Sequence, residues 1–478
     1  MKKVLISGTA TIVICIALLF VTALIPQNAL QKNMEKSSDY YNNHQMFDHV
    51  TDYMFLSRQD NYADCILTNI IYHIDQNNLA ESILSASYYN PEDEGVQTSF
   101  AYAVGSKVEP NVDYSRYWHG SMVLLRPLFI IFDIAGVRMV LGILILIMTV
   151  WFEVLLFKNH YSVFGVCYAI GLMLVSVWMC AFCVEYAMPF VVMSVELPVL
   201  LVLLTRAYEK KDAQNLTQKR NDKNSEKHEA DNCKLNNRKL INRKLINRKP
   251  INRKPEVLLW AVLACAGIVT AFVDFLTTET VTFTMAYVLY LIVKNRHDQM
   301  KPIKEELICL IKSGIVWLGS YGLMIALKWA LALVVLGKDA FFNALSQAAL
   351  RISGDATLGN VTGAEVVSDY ERISGALWRN IGCIYPFKST MSYGTAMIFI
   401  LLVGLVVFSI WYLFRGKTKS CINKVLAIVS LLPVMRFLVL NNHSYIHFFF
   451  TYRALLVSVV VIMYILACYV NGFVRKRR

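Results

Sequence analysis

The chain has 478 residues, of which 56% are hydrophobic and 17% are charged, and its mean hydropathy is +0.45. Soluble domains have about 45–50% apolar and about 25% charged residues, so the composition excludes an ordinary soluble protein and predicts an integral membrane protein. The net charge of +13 does not indicate a nucleic-acid partner. The basic residues lie between and after apolar segments, where Lys and Arg are typical of cytoplasmic loops.

The first element, "MKKVLISGTATIVICIALLFVTALI", has a basic start and a long apolar run without a clear cleavage site, which predicts an uncleaved transmembrane helix. Since about 20 apolar residues cross the hydrocarbon core, the chain is predicted to be an all-α polytopic membrane protein with about ten transmembrane helices. The predicted helices are 4–25, 136–157, 162–183, 186–206, 256–275, 279–295, 306–337, 392–414, 421–440 and 454–473.

All the segments that face one side in this scheme are basic, so the positive-inside rule predicts cytoplasmic N- and C-termini in a cell membrane. Two large extracytoplasmic loops follow, at 26–118 and 338–391. Between the first loop and the second span, residues 120–136 are apolar but interrupted by Arg126, Pro127 and Asp133, which predicts an interfacial helix within the extracytoplasmic segment 26–135. The chain is predicted to divide into seven segments. These are the first transmembrane helix (1–25), an extracytoplasmic loop with the interfacial helix (26–135), transmembrane helices (136–206), a basic cytoplasmic linker (207–255), transmembrane helices (256–337), a second extracytoplasmic loop (338–391) and the C-terminal transmembrane helices (392–478).

The segment 207–255 contains four near-identical basic pentads in "NRKLINRKLINRKPINRKP". Repeats this short do not build solenoids, and a disordered cytoplasmic linker is the favoured interpretation. Contact with anionic lipids is a secondary expectation, because each basic residue near the surface contributes about 1 kcal/mol.

The 11 cysteines lie mostly in apolar segments, where Cys packs as a small hydrophobe. The pair in "CAFC", Cys180 and Cys183, has no second pair and is interpreted as packing. Cys65 and Cys383 lie in the two outer loops, and their spacing alone does not decide whether they form a disulfide.

Two carboxylates lie in the first outer loop, within "SRQDNYADCILTNIIYHID". Asp60 and Asp64 are four residues apart, so a helix places them on one face. Asp60 can instead cap the helix N-terminus. Asp64 would lie inside the helix, where a carboxylate at the membrane surface can act as a general base toward a hydroxyl.

Two further polar clusters lie at the predicted outer boundary. "YSRYWHGSM" contains Arg116, a residue suited to bidentate phosphate contact, and His119, although its aromatic residues also fit a headgroup belt. "FVDFLTTETVTF" places Asp274 and Glu279 between two spans, where a charge is costly unless it faces a cavity or a partner. The alternative is the polar turn of a helical hairpin.

The fourth cluster is "NNHSYIHFFFTYRALL", between the last two spans. It contains His443 and His447 at helical spacing, with Tyr445 and Arg453, far more functional groups than a turn needs. Since all four clusters lie at one membrane level, we predict a single site that opens to the outside and is accessible from the lipid.

Two charges lie nearer the middle of the membrane, Glu196 and Lys328. A structural ion pair would lower the cost of each, and a transporter would use the same residues for coupling.

An uncleaved first span, a long outer loop with an acidic pair, an interfacial helix and about ten spans resemble the GT-C class of membrane glycosyltransferases. The stretches "DFLTT" and "HSYIHFFFTYR" also resemble uncharacterised polytopic proteins of Gram-positive bacteria. The GT-C resemblance implies a polyprenyl-phosphate-linked sugar donor and a cell-envelope glycan or lipid acceptor. It also implies that Asp60 or Asp64 is the base, and that Arg116, His443, His447 or Arg453 contacts the donor phosphate. Asn61 follows Asp60 where the class has an adjacent acidic residue.

The resemblance therefore implies a glycosyltransferase, with no certain cofactor, in which a divalent metal ion is possible. The alternative is a transporter or flippase of a lipid-linked or anionic substrate, whose site would lie nearer the midplane. A non-catalytic membrane component that binds a partner through its outer loops is the third reading.

Overall fold

The computed structural model describes residues 2–51, 57–231, 254–353, 368–384 and 421–477, apart from the side chains of 213–231, 352–353 and 471–477. Within these ranges the regular structure is helical, and two isolated β-bridges join His49 to Arg58 and Tyr88 to Val112. The predicted all-α class is therefore confirmed.

Seven helices of the described residues are long and apolar enough to cross a membrane, which supports a multi-pass membrane protein. Their spanning segments are Lys2–Ala23, Ile134–Lys158, Val184–Asp212, Pro255–Val273, Ile303–Val335, Cys421–Val439 and Phe448–Val470. The predicted span 392–414 lies outside the described residues. The total of ten, the orientation and the cell membrane stay predictions.

Two predicted spans are shorter than expected. The one at 162–183 is a 13-residue helix, α8 (Ser162–Leu174), followed by a 3₁₀ turn at Val177–Ala181. The helix ends before Ser176, which has a left-handed φ of 53°. The one at 279–295 is α11 (Thr280–Arg296), whose 17 residues are buried along almost their whole length between the other helices.

The remaining long helices of the described residues are α1 (Lys2–Ala23), α7 (Ile134–Lys158), α9 (Val184–Asp231), α10 (Pro255–Val273) and α12 (Ile303–Val335). Helices α9, α10 and α11 pack against one another, with α7 against α9 and both α1 and α12 against α10. Their apolar contact faces form one continuous core with the outer helices.

The first outer loop is largely helical. It contains α2 (Gln31–Asn42), α3 (Asn61–Tyr72), α4 (Leu79–Ser85) and α5 (Val96–Ser106). Tyr41, Cys65, Tyr72 and Phe100 are fully buried between them, because the apolar side of α3 packs against α5 and α2. We call these four helices, together with the described segments that join them within 31–106, the outer unit.

The helix predicted at 120–136 is shorter, α6 (Met122–Phe129). Its Arg126 is fully buried and donates to Ile71 O and, at 2.6 Å, to Ile25 O. Those carbonyls lie at the end of α3 and just beyond the end of α1, where helices leave acceptors unsatisfied. Asp133 ends the segment by capping α7, since its carboxylate accepts from Gly136 N at 2.9 Å.

The second outer loop is also partly helical, with α13 (Lys338–Ser353) and α14 (Asp369–Gly382). The C-terminal part consists of the helices Cys421–Ser430, Leu432–Val439, Asn441–Ile446, Phe448–Thr451 and Leu456–Arg477, with a 3₁₀ turn at Tyr452–Leu455. The polar cluster at 441–456 is therefore a series of short helical turns, which we call the C-terminal knot.

The interpretation of Glu196 and Lys328 as an ion pair is wrong. Lys328 is buried in α12 and donates to Leu84 O at 2.7 Å and Ile83 O at 3.2 Å. It thus caps the C-terminal carbonyls of α4, because cations are favourable at that end of a helix. Neither carboxylate oxygen of Glu196 has a hydrogen-bond partner among the described residues.

The cysteines pack as single residues. Cys65 and Cys383 are both buried free thiols, so the structure contains no disulfide between them. Cys180 and Cys183 are likewise buried and free, consistent with a packing function for "CAFC".

Candidate functional site

A cavity of about 480 Å³ lies between the outer unit, the second outer loop and the C-terminal knot. Its walls are mostly aromatic and aliphatic, with eight ionisable Asp, Glu, Arg and His side chains among them. These eight are Arg58, Asp60, His119, Glu185, Arg351, Arg379, His443 and His447. Large apolar walls with a few convergent polar groups are typical of ligand sites.

The cavity lies at the ends of the spans. Glu185 is the second residue of α9, and Phe275 follows the last residue of α10 by two positions. The knot residues that line it, including Tyr445, lie between the last two candidate spans. The cavity therefore lies at one end of the candidate spans and not near their middle.

Asp60 lines this cavity and is the N-cap of α3, where its carboxylate accepts from Ala63 N at 2.9 Å. The capping interpretation is confirmed, and it leaves the residue beside the cavity as well. Burial raises the pKa of Asp60 to about 7, although the hydrogen bond from Ala63 favours the ionised form. A carboxylate with this pKa can take up and release a proton near neutral pH.

Asp64 does not line the cavity. Its carboxylate forms a buried ion pair with Arg138 at 2.8 Å and accepts from Val184 N at 2.9 Å and Glu185 N at 3.2 Å. It therefore binds the N-terminus of α9 to α3 and α7, where a negative charge is favourable. Asp60 and Asp64 are four residues apart, yet their surroundings differ. Asp60 lies at the end of α3, beside the cavity, whereas Asp64 lies one turn further along, in the core.

Three arginines that the sequence analysis did not select line the cavity: Arg58, Arg351 and Arg379. The guanidinium of Arg58 lies between two aromatic rings, 4.0 Å from Phe47 and 4.5 Å from Phe449. Its Nε has no hydrogen-bond partner among the described residues. Arg58 directly precedes "QD" in the motif already selected for its carboxylates, so the signal was present.

The other two arginines come from the second outer loop. Arg351 donates to Gln347 O at 3.0 Å, and its Nε also has no partner within the described ranges. Arg379 is exposed and donates to Tyr445 OH at 2.9 Å, while its guanidinium lies 4.0 Å from that ring. Their amphipathic helices "AFFNALSQAALR" and "YERISGALWR" carried a weak signal, because nothing local showed which side would face the knot.

Three histidines line the cavity in their neutral form. Burial lowers the pKa of His119 and of His447 to about 3, and it lowers the pKa of His443 well below its usual range. His443 contacts Leu276 O at 2.8 Å through Nε2, and its ring centroid lies 4.7 Å from that of His447. The Nδ1 atoms of His119 and His447 have no hydrogen-bond partner in the described part of the chain.

Glu185 is the second carboxylate of the cavity. In the sequence it directly follows "CAFCV" and reads as the polar start of a span, so it was not among the predicted site residues. Its Oε2 is buried without a hydrogen-bond partner among the described residues. The carboxylates that share the cavity are thus Asp60 and Glu185, and not Asp60 and Asp64.

Three predicted site residues have structural contacts outside the cavity lining. Arg116 stacks on the ring of Tyr114 at 3.7 Å, and this tyrosine lines the cavity in its place. Glu279 forms a bidentate ion pair with Arg436, with distances of 2.7 and 3.0 Å. Asp274 accepts from Thr277 N at 3.2 Å and from the Thr277 hydroxyl, so the hairpin-turn alternative describes its contacts.

Arg453 is also outside the cavity lining. It is buried 4.4 Å from the ring of Tyr186 and 4.9 Å from that of Tyr452, and it donates to Phe449 O at 3.2 Å. Its position inside the helix packing fits a structural cation better than a headgroup ligand. The cavity therefore brings together Asp60, His119, His443, Tyr445 and His447 from the predicted set.

No group of three or more His, Cys, Asp or Glu side chains in the described ranges has an arrangement that could hold a metal ion. Six of the eight Asp, Glu, Arg and His side chains that line the cavity are arginines or neutral imidazoles. Their arrangement suits an anionic ligand with an apolar part.

Comparison of the chain with protein-family models, with curated proteins and with solved structures gives no match.

Proposed function

We propose that this protein is a membrane glycosyltransferase that transfers a sugar from a polyprenyl-phosphate-linked donor to an acceptor hydroxyl at the extracytoplasmic face of the cell membrane. One observation carries the proposal. A single cavity contains Asp60, whose pKa is near neutral, together with Arg58 and Arg351, whose Nε atoms have no partner among the described residues. Buried donors without partners indicate a ligand, and guanidinium groups suit phosphate.

The donor phosphate would lie against Arg58, Arg351 and Arg379. These residues come from the outer unit and from both helices of the second outer loop, so a bound phosphate would hold the three segments together. The aromatic walls, which include Phe449 and Phe450, would contact the apolar part of the donor. The imidazoles of the knot would add hydrogen bonds to the donor phosphate. Because they are neutral, they do not compete with the arginines for its negative charge.

Asp60 would act as the general base. Its ionised carboxylate takes the proton of the acceptor hydroxyl while that oxygen forms a bond to the anomeric carbon. The bond from this carbon to the phosphate oxygen breaks, and the lipid phosphate leaves with the electron pair. Charge grows on that phosphate in the transition state, so the arginines accelerate the step if they bind the leaving group more tightly than the donor.

The acceptor would be a hydroxyl of a cell-envelope glycan or lipid, because the cavity lies at a membrane boundary. The basic stretch 207–255 is proposed to contact anionic lipids, and most of it lies outside the residues whose side chains are described.

The test uses the purified full-length protein in nanodiscs with a polyprenyl-phosphate sugar. Asp60→Asn should bind the donor normally and transfer sugar about 10²- to 10⁴-fold more slowly, the usual contribution of a general base. Arg351→Gln should weaken donor binding about 10- to 100-fold, as expected for a lost charged hydrogen bond. Arg296→Gln, at the far end of α11, is the matched control and should change neither measurement. Normal transfer by Asp60→Asn, or normal donor binding by Arg351→Gln, would contradict the assignment.

A transporter or flippase is the second candidate, supported by Glu196. Its carboxylate is buried inside a span without a hydrogen-bond partner among the described residues, and such groups often mark substrate or proton pathways. If this function is correct, Glu196→Gln should abolish movement of a lipid-linked substrate across liposomes, and Asp60→Asn should not.

A further inference from the structure

A second cavity of about 410 Å³ lies at the opposite ends of α10, α11 and α12. Lys254, just before α10, lines this cavity, whereas Phe275, just after α10, lines the first. The 19 residues of α10 extend about 28 Å, close to the thickness of the hydrocarbon core. The two cavities therefore lie at the two membrane boundaries.

The second cavity has an excess of cations. Its walls contain Lys254, Lys294, Lys301 and Lys312, against the two carboxylates Glu256 and Glu305.

Two of these four lysines have acidic partners. Lys294 is buried and paired with Glu306 at 2.8 Å, and Lys301 lies 3.5 Å from Glu256 and 4.0 Å from Glu305. Lys254 and Lys312 form no ion pair with any residue that the structure describes. Two ammonium groups are thus available to an anion from outside the chain.

The cavity lies at the depth of lipid headgroups. Helix α12 has 33 residues and extends about 50 Å, roughly 20 Å more than the hydrocarbon core, so its first turns reach beyond the core. Lys312 lies about 14 Å from the helix start, near this boundary. Trp260 lines the same cavity and donates to Ser313 Oγ at 3.0 Å, and Trp is enriched at this level.

An apolar helix face continues from the cavity into the membrane. Ile311, Ile315 and Leu318 lie along one side of α12, beginning next to Lys312, and are 60%, 65% and 63% exposed. A headgroup against Lys254 and Lys312 would place its acyl chains along these side chains. Charge and apolar surface are therefore arranged in the order that a phospholipid presents them.

We propose that this cavity binds the phosphate of an anionic glycerophospholipid, such as phosphatidylglycerol. The ammonium groups of Lys254 and Lys312 contact the phosphate oxygens, Trp260 lies at the glycerol level, and the acyl chains lie on α12. The site is independent of the glycosyl-transfer cavity. Lys254 is the last lysine of the pentads of 207–255, but the other lining residues, Lys312 and Trp260 among them, lie outside the pentads and form a cavity that non-specific attraction does not need.

The test measures retention of phosphatidylglycerol by the delipidated full-length protein, with native mass spectrometry after titration in detergent. The double variant Lys254→Gln/Lys312→Gln removes the two unpaired charges. The matched control, Lys158→Gln/Lys210→Gln, removes two exposed lysines on α7 and α9 without changing the cavity. Each basic residue near a lipid surface changes affinity about fivefold, so we expect about 25-fold weaker retention for the cavity variant and little change for the control.

Three results would overturn the proposal. Equal weakening by both double variants would mean a general basic surface. Unchanged retention by a cavity variant that melts at the wild-type temperature would mean that the lysines hold no lipid. Displacement of the lipid by soluble glycerol phosphate at the same concentration would mean a site for free phosphate.

Discussion

The substitution Asp64→Asn separates a structural carboxylate from a catalytic one. In the structure, Asp64 pairs with Arg138 and accepts two backbone N–H groups at the start of α9. The amide keeps the shape of the side chain but leaves the guanidinium of Arg138, which is 2% exposed, without its counter-charge. Breaking a buried ion pair costs about 3–5 kcal/mol, and we expect that loss in the free energy of unfolding.

The matched control is Asp60→Asn, only one helical turn away. The Asn oxygen can still accept from Ala63 N, and Asn is about as good an N-cap as Asp. We therefore expect a loss of stability of no more than about 1 kcal/mol. The proposed function predicts the opposite order for chemistry, with sugar transfer lost in Asp60→Asn and retained by the folded fraction of Asp64→Asn.

The assay combines thermal unfolding in nanodiscs with sugar transfer per folded molecule. A double variant, Asp64→Asn/Arg138→Gln, removes both charges and should recover part of the lost stability, because no uncompensated ion remains buried. If Asp64→Asn unfolds at the wild-type temperature and has no transfer activity, Asp64 is the base and the reasoning from its contacts is refuted.

Native Asp60 keeps its proton up to about pH 7, whereas the unfolded residue loses it near pH 4, so its contribution to stability falls as pH rises through that window. The melting temperature of Asp60→Asn relative to wild type should therefore rise between about pH 4 and about pH 7, and a constant difference would contradict the raised pKa. Lys328→Met should retain packing but lose two charged hydrogen bonds to α4, one of them to Leu84 O, at about 1.5–3 kcal/mol each. Faster proteolysis within the outer unit would confirm it, and wild-type resistance would count against it. Impermeant thiol reagents should reach Glu92→Cys, in the outer unit, but not Lys304→Cys at the start of α12; the reverse would invert the predicted orientation.

Composition and hydropathy predict the class of protein without any knowledge of its tertiary contacts. Apolar runs and basic flanks are local properties, and a helix satisfies its own backbone hydrogen bonds, so composition and hydropathy were enough to predict an all-helical membrane protein. The Asp60 cap was predictable for the same reason, because an N-cap bonds only to residues of its own first turn.

Which charges share a cavity depends on contacts between residues that are far apart in the chain. Asp64 and Arg138 are 74 positions apart in the chain, and Lys328 meets α4 across more than 240 residues. No periodic pattern encodes such contacts, so Asp64 looked exposed to solvent chemistry and Lys328 looked like a partner for Glu196. The arginines of the second outer loop became site residues only because α13 and α14 fold over the C-terminal knot. Burying a charge in an apolar protein is costly unless a partner or a ligand compensates it, and that partner is set by proximity in the folded structure and not by proximity in the sequence.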